Sequence, residues 1–175
     1  MIDVIKQFEA IPVAYPYAPA GLSDDAAALD ADMIWARIEA YTAHRFAVRE
    51  VVWTLRGDSG DEWHPHLTPL VSREAHIWAI DAWEAVALLD GPLGVCLPVG
   101  GIYRITAQVG AGDLPAPVSE AYRRLAEYSA GIGSSADSFT TVNECESSFE
   151  RSSTWAARAI QNSGAADLLR PYRRA

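Results

Sequence analysis

Two short stretches hold residue types from which an active centre might be assembled. Gly57-Asp58-Ser59-Gly60 is a run of the kind that carries the activated serine of trypsin-like proteases. That chemistry needs a histidine and an aspartate well upstream on a two-barrel scaffold. Only His44 precedes this serine, and 175 residues are too few for such a scaffold. The same four residues suit a tight turn between strands, which is the reading adopted. His64-Pro65-His66 sets two alternating imidazoles beside Asp61 and Glu62. A metal site needs three or four convergent ligands, and no cysteine or second histidine pair supplies the remainder. A surface loop is therefore favoured, with a small metal-dependent enzyme using His64 and His66 kept as an alternative. His76 alternates with apolar neighbours in a strand and reads as a partly buried core histidine.

The remaining candidates weigh against catalysis. Gly110-Ala111-Gly112 is followed by Asp-Leu-Pro, neither the third glycine of a dinucleotide fingerprint nor the Gly-Lys of a phosphate loop. Gly131-Ile132-Gly133 reads as a helix end. No carboxylate pair stands out from the general acidity. Six tryptophans could suggest base stacking, but stacking sites need basic surroundings. Trp53, Trp78 and Trp83 fall in strand patterns and read as core. The sequence implies no enzyme, no metal and no cofactor.

Charge is distributed unevenly. The last twenty-five residues, Arg151 to Ala175, carry five arginines and one aspartate. That net +4, against −9 for the whole chain, leaves −13 on the first 150 residues. The tail ends Ala166-Asp167-Leu168-Leu169-Arg170-Pro171-Tyr172-Arg173-Arg174-Ala175, and its leucines and tyrosine are the composition of a segment that docks on another protein. A pI near 4.8 argues against a surface that wraps nucleic acid. A nucleic-acid-binding module working through the arginine tail is the second alternative. Cys96, in an apolar run, reads as a core residue, and with Cys145 far away a disulfide is not favoured. There is no apolar run of membrane-spanning length and no signal peptide, so the expectation is a protein made in the cytoplasm, with no membrane partner.

The elements that must position these residues follow from pattern. Residues 1–22 read as an extended leader, with three prolines from Pro12 to Pro19. Ser23 followed by Asp24 and Asp25 starts a helix expected to run to about Arg45. Its apolar residues fall on two faces, Leu29, Met33, Ala36 and Ala40 against Ile34, Ile38 and Tyr41. A second face suggests contact with another subunit through Ile34, Trp35, Ile38 and Tyr41. Period-two alternation over 47–109 predicts a small antiparallel sheet. A helix follows, with Val118, Ala121, Tyr122 and Leu125 on one stripe and Glu120 placed to pair with Arg124. The polar stretch 134–150 reads as a linker, and 151–175 as a final helix and arm. The fold class expected is α+β: helices flanking a small antiparallel sheet, a connector-like body over 23–133, and an extended C-terminal helix and arm.

Four segments in order resemble the head–tail connector (adaptor) family of tailed bacteriophages and gene transfer agents, most nearly a gene transfer agent connector. They are Ile38-Glu39-Ala40-Tyr41-Thr42 through Val51-Val52-Trp53-Thr54-Leu55, Leu97-Pro98 and Tyr103-Arg104-Ile105-Thr106 through Gly110-Ala111-Gly112, Leu114-Pro115 with the helix Ala121 to Tyr128, and Leu168-Leu169-Arg170-Pro171-Tyr172-Arg173. The strand region departs from the simpler, almost all-helical members. The resemblance implies a structural protein without enzymatic activity. It implies a ring of twelve copies at the head–tail junction, with a portal protein on one side and a tail-side connector or stopper on the other. DNA would pass through the channel without specific binding. It also implies a C-terminal segment that enters the portal, which here falls on Arg158, Leu168, Leu169, Arg170, Pro171, Tyr172, Arg173 and Arg174.

Overall fold

A computed structural model describes residues 1–92, 94–110, 112–138 and 158–173. The class is α+β, as expected, and the chain divides into two compact units. Unit one comprises residues 1–15 and 43–112, and unit two residues 16–42 and 113–173. The strand region is thus an insertion between two helical segments, where one continuous body over 23–133 was expected.

Unit one holds β1 (Asp3–Glu9), β2 (Arg49–Gly57), β3 (Glu62–Trp63), β4 (Leu70–Ala79), β5 (Ala82–Ala85), β6 (Leu89–Asp90), β7 (Val95–Cys96) and β8 (Gly101–Val109). One sheet has the order β1-β2-β8-β4-β5, a smaller one β3-β7-β6, and neighbouring strands in both are antiparallel. Alternation builds the core. Val51, Trp53 and Leu55 of β2 and Tyr103, Ile105, Ala107 and Val109 of β8 are buried on one face, closed over by Trp63, Val95 and Leu97. Trp53 meets Trp63 edge to face at 5.1 Å, and its indole N–H donates to Gln7 Oε1 at 2.8 Å. Gly110, at φ +94, lies against the Ala47 carbonyl where no side chain would fit.

Three expectations for this unit are corrected. The leader is not a separate segment throughout, because Asp3–Glu9 form β1, which pairs with β2 along the sheet edge with a bulge between Val4 and Lys6. Beyond it the large side chains of Ile11, Val13 and Tyr17 are almost fully exposed. Trp78 and Trp83 are not core residues: they pair across β4 and β5 on the sheet's outer face, and Trp78 is 43% exposed. Cys96 is only half-buried, and its thiol donates to Glu62 Oε1 at 3.6 Å. Burial first, then the Glu62 and Asp90 carboxylates, push that thiol's pKa up.

Unit two holds α1 (Asp24–Ala27), α2 (Ala31–Tyr41), α3 (Ala116–Ser138), α4 (Ala159–Asn162), α5 (Ala165–Leu169) and a 3₁₀ turn (Arg170–Tyr172). Ser23 caps α1 by accepting from Ala26 N at 3.2 Å. The helix expected to run on to Arg45 instead breaks after one turn. Asp30 starts a second helix by accepting from the amides of Asp32 (3.0 Å) and Met33 (3.4 Å), and α2 stops at Tyr41. Conversely, α3 runs through Gly131 and Gly133, where an end was expected. A helical glycine costs about 1 kcal/mol, too little to stop a long helix held by packing over its earlier turns. Ser134–Ser138, expected in the linker, are therefore its last turns, and the rest of that stretch lies outside the described residues, as does the start of the expected final helix.

Candidate partner-binding surfaces

Within unit two, α3 is the element on which the others rest. Val118, Ala121, Tyr122, Leu125 and Ala126 are buried along it, and the Tyr122 ring lies 4.8 Å from that of Trp35. Ser23 ties α1 to α3, its N–H and hydroxyl donating to Glu127 at 2.8 and 2.7 Å. Those two bonds, the backbone one foremost, hold the Glu127 carboxyl below its ordinary value. Glu120 accepts from Arg123 and Arg124, both at 2.8 Å, and the pair pulls its pKa down to about 2.

The α2 residues expected at a subunit surface lie elsewhere. Ile34, Trp35 and Ile38 are all 0% exposed in the single chain, whereas Met33, Ala36 and Ala40 are exposed. The apolar pattern on α2 is thus a core stripe plus the exposed Met33 and two exposed alanines. Tyr41 alone of the four stays partly exposed, and the Arg173 guanidinium sits 4.8 Å over its ring.

Arg173 lies near the end of the C-terminal segment, which is not an extended arm over 158–173. Its two short helices lie on α3, with Ala159, Ile160, Ala165 and Leu169 buried. Gly164 turns the chain between them at φ +74, and Asn162 Nδ2 donates to the Tyr128 hydroxyl at 3.1 Å. Leu169 is therefore an anchor inside its own unit. Arg158, Arg170, Pro171 and Arg173 are exposed, Leu168 and Tyr172 half-buried, and Arg174 lies outside the described residues. Leu169→Ala should cost about 2 kcal/mol, at the low end for a buried leucine because a short terminal helix can settle into the space. A urea midpoint measured against wild type checks this.

The residues first considered for chemistry do not converge. Gly57–Gly60 is a turn, with Gly60 at φ +83 and Ser59 Oγ donating to Pro98 O at 2.9 Å. Asp61 is engaged by the Met1 ammonium at 2.9 Å and by the Asp58 amide at 3.0 Å, and His64 and His66 are exposed. Among the described residues no three His, Cys, Asp or Glu side chains are grouped to hold a metal, and no helix is long and apolar enough to cross a membrane.

No family model matches the chain, and no curated protein matches it. Among solved structures it is similar to a chain of the neck of an empty gene transfer agent particle computed with C6 symmetry. The match has a TM-score of 0.46 and 20% identity over 93% of this chain and 94% of that one.

Sequence reasoning missed one cluster. Glu9, at the end of β1, accepts from Arg45 Nε at 2.6 Å and Arg49 Nη1 at 2.9 Å, and the Arg49 guanidinium lies 5.5 Å over the Tyr15 ring. Both arginines are buried. Arg45 and Arg49, four apart at the start of a strand, were a visible pair, but nothing local in the sequence joined them to a carboxylate forty residues earlier.

Proposed function

We propose that the chain is a structural head–tail connector of a phage-like particle, made in the cytoplasm and placed at the head–tail junction. Twelve copies would form a ring, with a portal protein on one side and a tail-side connector or stopper on the other. The observation that carries this reading is the C-terminal turn. Leu169 fixes it from within, and Arg170, Pro171 and Arg173 stand out to solvent on a chain of net charge −9. A preformed turn loses less freedom on binding than an unstructured arm, and its guanidiniums suit carbonyls or carboxylates of the portal. Repetition around a ring would multiply a modest single contact. The four ordered segments of sequence resemblance support the same assignment. An acidic body suits a channel wall that repels DNA and leaves it mobile.

The test is capture of the portal protein encoded with this chain. Arg170→Glu together with Arg173→Glu should abolish capture while leaving the circular dichroism spectrum and urea midpoint near wild type. Undiminished capture by this folded variant would remove the C-terminal turn from the portal contact.

A further inference from the structure

The outer face of the five-stranded sheet is divided by charge. Lys6, Thr54, Arg104 and His76 share one row across β1, β2, β8 and β4, and Asp3 and Arg56 share the next. Beside them Trp78 and Trp83 meet edge to face at 5.2 Å, and the Arg104 guanidinium lies 4.7 Å over the Trp83 ring. The acids Glu50 and Glu74 lie on the other half of the face, opposite Gln108 and Thr106. One half-face of a strongly acidic chain thus carries three cations and two tryptophans, with Asp3 opposite Arg56 and the exposed Asp58 and Asp81 only at its rim, after β2 and in the β4–β5 turn. Lys6 and Arg56 are exposed and form no ion pair among the described residues.

The complement is present on the same chain. Residues 16–42 carry five acids and one arginine. Asp24, Asp25 and Asp32 are exposed there and likewise form no ion pair among the described residues, and Met33 beside them is 46% exposed. We infer that the basic, tryptophan-bearing half-face of one copy docks the acidic start of the helical unit of a second copy. Two unlike surfaces make a head-to-tail contact, which propagates around a ring where a self-complementary patch would stop at a dimer. Arg104, placed over Trp83, can still offer N–H donors to a carboxylate. Nucleic acid suits the patch less well, since a few cations must hold phosphates against a net −9. The inference rests on the ring reading above and names the two faces of its subunit contact.

Charge exchange tests it. Lys6→Glu with Arg56→Glu makes one variant, and Asp24→Arg with Asp25→Arg the other, leaving the Asp30 cap untouched. Light scattering on the full chain should show wild type assembling, more weakly at high salt. Each folded variant alone should associate about a hundredfold more weakly, because like charges then face each other. An equimolar mixture should regain assembly, since every junction in an alternating ring pairs opposite charges. Wild-type assembly by either variant alone, or a mixture of folded variants that stays monomeric, overturns the docking. So does a wild-type chain that never associates, and so does salt-sensitive capture of an oligonucleotide lost in Lys6→Glu/Arg56→Glu while assembly persists. A wild type that assembles but fails to capture portal sinks the connector reading and leaves the docking standing.

Discussion

Ile38→Asp should unfold the helical unit, not release a folded subunit from its neighbours. Ile38 is fully buried beside Ile34 and Trp35. A carboxylate there either loses its hydration without a partner or takes up a proton to become neutral, and both routes are expensive. The expected loss is about 4 kcal/mol or more, a large share of the 5–15 kcal/mol by which domains of this size are stable. Far-UV circular dichroism should show most of the helical signal gone at room temperature. Met33→Asp, five residues earlier and 46% exposed, should change little. If Ile38→Asp kept the wild-type urea midpoint and lost only assembly, Ile38 would return to the subunit surface.

The second large effect is expected at Glu9. Replacing it with Gln keeps its shape but removes the negative charge that accepts from both Arg45 and Arg49. The cost should be about 3 kcal/mol, from the loss of charge assistance in two hydrogen bonds to one carboxylate. Burial alone would raise the Glu9 pKa. The hydrogen bond and charge of Arg45, then those of Arg49, outweigh it and hold the carboxyl below its ordinary value. A group with a depressed folded pKa contributes fully above its unfolded value and loses that contribution as pH falls through the folded one. The stability gap between wild type and Glu9→Gln should therefore be widest near neutral pH and close progressively below the ordinary carboxylate range. A gap independent of pH would mean that shape, not charge, is what Glu9 supplies.

Strong alternation made β2 and β8 legible, and the stripe Val118, Ala121, Tyr122, Leu125 did the same for α3. β1 was not legible because Lys6, Gln7 and Phe8 are exposed on an edge strand, so the alternation that marks a half-buried strand is lost. The break at Asp30 was hidden by good helix formers on both sides, where a single capping carboxylate decided the outcome. Burial could not be assigned to the right partner from α2 or from the tail. Ile34, Ile38 and Leu169 are apolar enough to meet another molecule, and only tertiary structure shows that α3 or its neighbours take that place. The sheet's outer face was illegible for a related reason. Lys6, Arg56, Arg104, Trp78 and Trp83 lie far apart in the chain and are brought together by register alone.

The pairing of Arg49 with Val109 has a kinetic meaning. Some seventy residues separate the end of α2 from the start of α3, and bringing two such distant stretches together in an open chain is entropically slow. Once β2 and β8 have joined, the same stretches are separated by a tether of a dozen or so residues, which lowers the closure cost by about 1.5 kcal/mol. Formation of the strand insertion should therefore come first, and the helices should assemble on a chain already shortened for them.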